Sequence, residues 1–259
     1  MGNVTFERPP LNEVSFGLFF APLADLRTSH FGSFWARLRP DFDQTADKPP
    51  VGGAEGLQMV GGAEWFPLPR VWFVHKDKEQ LIQLQPNRFY FNWRRVKPAT
   101  AYPRFDSLQP LFCKYLDAFT AFLQAESLGV PDITGAELIY VNHIPVGEGW
   151  SELNEIGGVF PDLAWRRRTS KAIEVKGFAW HGSLQTSDAR LEVDIKTAQS
   201  ADDGKQLFLF ELRALSRNKP GSTDGVRKWF DTANGTIVSA FQDLTSEHMQ
   251  KEIWRRVDR

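Results

Sequence analysis

The sequence predicts an α+β fold: antiparallel sheets packed against long amphipathic helices, arranged as two similar halves. Three observations carry this expectation. Strand-like runs cluster at 70–95 and again at 171–215. Each cluster is followed by a long run of helical period, at 104–127 and at 223–242. Short turn sequences separate the strands, as antiparallel meanders require. The halves expected are 1–146 and 171–259, as separate domains or as parts of one continuous domain.

The elements follow in order. Residues 13–20, "EVSFGLFF", are apolar and aromatic, and follow the helix-breaking pair Pro9-Pro10, which suits a strand. Residues 25–38 place Leu26, Phe31, Phe34, Trp35 and Leu38 near helical spacing, and Pro40 ends that helix. Residues 41–69 read as a long loop, an inserted segment in which Val-Gly-Gly-Ala-Glu occurs at 51–55 and again at 60–64. The meander follows: "RVWFVH", the turn "KDKE", "QLIQLQ", the turn Pro86-Asn87, and "RFYFNW". Phe105, Leu108, Phe112, Tyr115, Phe119 and Phe122 then recur every three or four residues, up to Gly129 and Pro131. "AELIYVNHIPV" is a further strand, and 147–170 reads as irregular.

The second half repeats the order without repeating the residues. "KAIEVKGFAWHGSLQ", "ARLEVDIKTAQ" and "QLFLFELRAL" read as strands. Val226, Trp229, Phe230, Ala233, Ile237, Ala240 and Phe241 form one helical stripe, and a final short helix is expected over 245–256.

Composition excludes several classes. The chain is 42% hydrophobic with 21 Phe and 9 Trp, enough for a substantial core. Its net charge of −1 argues against a surface that is wholly a nucleic-acid footprint. A single cysteine, Cys113, allows no intramolecular disulfide. The opening residues lack the basic and apolar regions of a signal peptide, and no apolar run approaches ~18 residues. A cytoplasmic protein without membrane attachment is the expectation.

Catalytic patterns are sparse. Pro161-Asp162 followed by Glu174-Val175-Lys176 matches the PD-(D/E)xK nuclease pattern, in which two carboxylates hold Mg²⁺ and the lysine positions water. Glu174 and Lys176 must then share one face of a strand. Asp194 and Lys196 repeat the acidic-x-Lys spacing in "LEVDIK", which shows how readily alternating strands generate it. The five histidines have no metal-ligand spacing, so neither a metal nor another cofactor is expected outside the nuclease alternative.

Binding is the better expectation. Trp-Arg-Arg occurs at 93–95, 165–167 and 254–256, with Arg168 extending the second occurrence. Aromatics beside arginines suit stacking and phosphate pairing, so nucleic-acid binding is an alternative. Strand geometry separates these neighbours, however. Phe89, Phe91 and Trp93 share one face of "NRFYFNWRR", the core face, whereas Arg88, Tyr90, Asn92 and Arg94 share the other. Those four, with Arg166, Arg167 and Arg168, are the candidate binding residues.

"PPLNEVSFGLFF", "PRVWFVHKDKEQLIQLQPNRFYFNWRR", "YPRFDSLQPLF", "AELIYVNHI" and "EHMQKEIWRR" occur in that order along nearly the whole chain. Together they resemble a sporadically distributed family of uncharacterised bacterial proteins of about 250 residues. The resemblance implies no activity and no catalytic residue. A patchy bacterial distribution implies horizontal transfer and a mobile-element or phage-defence setting. The combined expectation is a non-enzymatic binding or accessory protein with a protein or peptide partner. The alternatives are the metal-dependent nuclease and the nucleic-acid-binding module.

Overall fold

The computed structural model describes residues 4–51, 68–164 and 175–258. The α+β class holds: the strands lie in antiparallel sheets and are accompanied by helices. In chain order the elements are β1 (Val4–Phe6), β2 (Leu11–Phe20), α1 (Thr28–Leu38), β3 (Gln44–Lys48), β4 (Arg70–Val74), β5 (Gln80–Gln85), β6 (Arg88–Arg94), α2 (Phe105–Ala125), β7 (Ile133–Pro145), α3 (Ile156–Val159), β8 (Ala179–Gln185), β9 (Ala189–Gln199), β10 (Gln206–Ser216), α4 (Thr223–Leu244) and β11 (Arg256–Asp258). Among the described residues, no helix is long and apolar enough to cross a membrane.

The chain divides into two compact units that are cut differently from the sequential halves 1–146 and 171–259. The first comprises Met1–Val14, Leu138–Leu215 and Asp231–Arg259, and the second Ser15–Glu137 and Ser216–Phe230. The boundaries pass through β2, β7, β10 and α4, so each unit is assembled from segments remote in sequence.

In the second unit the strand order is β3-β4-β5-β6-β2-β7. The β4–β5–β6 meander is antiparallel as expected, with Phe73 opposite Ile82 and Ile82 opposite Phe91. Alternation turns Phe89, Phe91 and Trp93 to the core, where they are 0%, 0% and 2% exposed. Helix α2 lays its stripe on them: Phe119 stacks on Phe89 at 5.3 Å, and Tyr115 meets Phe91 at 5.6 Å. Phe34 of α1 packs against Phe119 and Phe122. Phe16 of β2 contacts Phe105, Phe112 and Phe230 at 5.6, 5.6 and 5.1 Å. Each such phenylalanine stabilises the fold by about 1.5–3 kcal/mol through burial, so this ring layer is the dominant local term.

The first unit carries β2, β7, β10, β9 and β8 in that order, and the separate β1–β11 pair. Its rings form a second layer. Phe210 stacks on Phe241, Trp150 stacks on Phe208, and Trp254 packs against both Phe6 and Phe241. The Tyr140 hydroxyl reaches Asn234 Oδ1 at 2.7 Å, tying β7 to α4 within this unit.

Four local expectations change. The 41–69 stretch contains a strand, β3, paired with β4 from Gln44–Val74 to Lys48–Arg70. Its sequence QTADK has no apolar alternation to announce it, because an edge strand is held by backbone bonds. Of the strand expected from 171, residues 171–174 lie outside the described residues, 175–178 are not strand, and β8 begins at Ala179. At Phe178 the backbone N–H donates to Thr197 Oγ1 at 3.2 Å instead of to a ladder carbonyl. Residues 147–170 include short helical turns at 153–155, 156–159 and 161–163.

The final helix expected over 245–256 is shorter: helical turns run over 247–253, π-type at Met249–Ile253, and β11 follows. There the Gln250 side chain donates to the carbonyls of Gln242 and Thr245, and Arg255 adopts φ +54°. The backbone of Arg256–Asp258 pairs with β1 instead of continuing a helix. The Val-Gly-Gly-Ala-Glu repeats, apart from Val51, lie outside the described residues.

Candidate binding face

The face of β6 opposite its phenylalanines carries Arg88, Tyr90, Asn92 and Arg94, as alternation dictates. Sequence reasoning left this face open to solvent. Here the structure corrects it: Tyr90 is 6% and Asn92 2% exposed, so both sides of the strand are buried. Antiparallel register adds the neighbours. Trp72 stands opposite Gln83, and Gln83 opposite Tyr90. Two residues along on the same face, Lys48 pairs with Arg70, and Gln85 pairs with Arg88. Ser15 and Gly17 of β2 and Glu137 of β7 complete the polar layer.

The polar groups are connected in two chains. In one, Gln83 Oε1 accepts from Arg70 Nη1 (2.9 Å) and Trp72 Nε1 (3.0 Å). Gln83 Nε2 donates to Asn92 Oδ1 (2.8 Å), and Asn92 Nδ2 donates to Ser15 Oγ (2.6 Å). An amide has one acceptor end and one donor end, so Gln83 and Asn92 transmit a donor-to-acceptor order across four strands. In the other chain, Arg88 Nη1 donates to the Tyr90 hydroxyl (3.1 Å), which donates to Glu137 Oε1 (2.6 Å). Burial, and then the Glu137 charge beside it, push the Tyr90 phenol well above the ordinary tyrosine range. The tyrosine therefore stays protonated and serves the carboxylate as a donor.

Gly17 is required at this point. A Cβ there would lie 2.5 Å from Tyr90 Cε1 and 2.8 Å from Glu137 Cγ. The close approach of β2 to the ring holds the Tyr90–Glu137 contact in place.

Gln85 makes a contact of a different kind. Its Oε1 accepts from the Val51 backbone N–H at 3.1 Å, and its Nε2 donates to the Val51 carbonyl at 3.0 Å. One amide side chain thus grips both backbone groups of one residue, which is the bonding that a hydrogen-bonded pair in an antiparallel ladder supplies. The aromatic rings of this face carry cations. Lys48 and Arg70 lie over Trp72 at 4.9 and 5.5 Å, and Arg88 lies over Phe19 at 4.5 Å.

Of the candidate residues, Arg88, Tyr90 and Asn92 come together in this layer. Arg94 serves the neighbouring turn, donating from Nε to the Lys78 carbonyl at 2.8 Å. Arg166, Arg167, Arg168 and Glu174 lie outside the described residues. Asp162 is exposed on a 3₁₀ turn, and Lys176 is exposed ahead of β8, not on the strand that the nuclease pattern requires. The third Trp-Arg-Arg separates as strand and helix geometry demand. Trp254 is buried, Arg255 pairs with Glu7, and Arg256 pairs with Asp258.

Arg70, Trp72, Gln83, Gln85, Ser15 and Glu137 were not singled out from sequence. The alternation of Leu81, Gln83 and Gln85 against Ile82 and Leu84 is the one local signal that points to them. His181, held between Glu192 (3.2 Å) and Asp194 (3.0 Å) on the β8–β9 hairpin, was also missed. The register that brings these three together is a tertiary fact. A scan against models of known protein families finds no match to this chain, and a search of curated proteins finds no relative.

Proposed function

We propose that this is a non-enzymatic binding or accessory protein whose partner is a protein or peptide segment. The observation that carries this reading is the two-point grip of Gln85 on the backbone of Val51. A side chain that holds the N–H and C=O of one residue engages backbone regardless of side-chain identity. The surrounding groups are prearranged by their own hydrogen bonds, which lowers the cost of ordering them on binding. A bacterial setting, in a mobile-element or phage-defence neighbourhood, is part of the proposal and rests on the family resemblance.

An array of immobilised peptides of varied sequence, probed with the labelled protein, tests the reading. Specific spots are expected with the wild type and are expected to weaken with Gln85→Ala. Binding to no peptide would sink the proposal. Incubation with DNA and RNA in Mg²⁺ or Mn²⁺ tests the nuclease alternative, with Glu174→Ala and Lys176→Ala as controls. Metal-dependent cutting lost in both variants would replace the present reading.

A further inference from the structure

Strand β8 closes the strand order of the first unit, and β9 lies on one side of it. The Thr197 N–H donates to the Phe178 carbonyl at 3.1 Å, and the Thr186 N–H to the Ala189 carbonyl at 2.9 Å. Alternation from these two bonded pairs turns the N–H and C=O groups of Trp180, Gly182 and Leu184 to β9. Those of Ala179, His181, Ser183 and Gln185 point the other way. Among the described residues none of them has a backbone partner on that side, and all four residues are exposed.

A bare edge is a template for another strand, and monomeric proteins block it with lysine, proline or a short strand. Strand β8, AWHGSLQ, uses none of these: it has seven residues, no proline and no lysine, arginine, aspartate or glutamate. Strand β3, QTADK, which closes the order of the second unit, is shorter and carries Asp47 and Lys48. His181 is engaged within its own hairpin, between Glu192 and Asp194. On the other face of β8, Trp180 and Leu184 stand opposite the buried Ile195 and Leu191. Trp180 is nevertheless partly exposed and Leu184 46% exposed, so β9 leaves both side chains incompletely covered.

We infer that β8 pairs antiparallel with β8 of a second copy of this chain, about a two-fold axis at Gly182. This register sets His181 against the partner's Ser183 and Ala179 against the partner's Gln185, so every outward backbone group of the strand finds its mate. The central pair, Gly182 with the partner's Gly182, is of the closer, non-hydrogen-bonded kind, with Cα atoms about 4.5 Å apart. Glycine suits that place because Trp180 already lies over it: a Cβ on Gly182 would be 2.4 Å from the indole Cη2. Trp180 then faces the partner's Leu184, which covers both exposed apolar side chains, and no like charges meet. Registers shifted by two residues set Trp180 against glycine or Thr186 instead. The pairing uses the same edge of both copies, so it closes as a dimer. It lies on a different strand from the Gln85 contact and does not depend on it.

Sedimentation velocity of the full chain from about 1 μM to about 1 mM tests the inference. The wild type is expected to pass from monomer to dimer as concentration rises, and to stop there. Ser183→Pro removes an N–H that bonds nothing in the monomer ladder but, by symmetry, two bonds of the dimer. It should weaken the dimer at least about tenfold. A wild type that stays monomeric throughout, or a dimer that Ser183→Pro leaves intact, would overturn the inference. Cross-linking reads the register and does not rely on the proline variant folding. Ala179→Cys and Gln185→Cys chains are oxidised separately and as a mixture, the native Cys113 being buried. The mixture is expected to give a disulfide-linked dimer, since hydrogen-bonded partners have Cα atoms about 5.5 Å apart. Each variant alone should not, because equivalent positions lie six residues, about 20 Å, from one another along the paired strands. No disulfide in the mixture, or equal cross-linking in all three samples, would overturn the pairing.

Discussion

Tyr90 has the most consequential environment of any single residue here. Its ring sits against Gly17, its hydroxyl serves Glu137, and Arg88 serves its hydroxyl. Tyr90→Phe leaves the buried Glu137 carboxylate without this donor and should cost about 1–3 kcal/mol in urea denaturation at neutral pH. The pH dependence has a definite sign. The folded protein holds this proton more tightly than the unfolded chain, whose tyrosines ionise near about 10. The stabilisation is therefore whole below that pH and declines as pH rises through and beyond it. The variant should lose part of this alkaline slope. A residual slope is expected from Tyr115, whose phenol is also raised, chiefly by burial. An unchanged alkaline profile in Tyr90→Phe would show that the hydroxyl is not held as described.

At the scale of the element, the β4–β5–β6 meander is polar and apolar at once. The apolar side of β6 was legible from the spacing of Phe89, Phe91 and Trp93, because alternation is a local property of the chain. The burial of its polar side was not legible, since Arg88, Tyr90 and Asn92 read equally well as a solvated face. What buries them is satisfaction by partners on other strands. Gln83 and Asn92 are the central link of this network, at 2.8 Å. A double-mutant cycle with Gln83→Ala and Asn92→Ala should therefore be strongly non-additive. Either single change removes the same bond, and the coupling expected is about 1 kcal/mol or more. Additive effects in denaturant titrations would mean that the two amides act independently.

At the scale of the whole molecule, the chain is interleaved. Phe230, encoded far from Phe16 and Phe112, meets them at 5.1 and 5.0 Å within the second unit. Ser216 Oγ accepts from the Ala136 backbone N–H at 2.9 Å in the same unit. A fragment ending at residue 146 contains the whole meander and all of α2 but lacks both contacts. Expressed alone, it should give a poorly dispersed amide spectrum, and co-expression with 147–259 should restore dispersion. A fragment 1–146 that folds cooperatively alone would reinstate the sequential division into halves.

The sequence by itself determined the α+β class, the meander with its core face, and the stripes of α2 and α4. These are written in spacings of two, three or four residues. It did not announce β3, whose polar side chains have no alternation, or the end of the last helix, where Gln250 and the pairing with β1 intervene. Only the tertiary structure decided the second, polar side of the sheet. Its decisive bonds join residues 47 and 77 positions apart, Tyr90 with Glu137 and Asn92 with Ser15. Contacts over such separations leave no period in the chain. They exist because strands remote in sequence are brought side by side, where a buried polar group must find a partner.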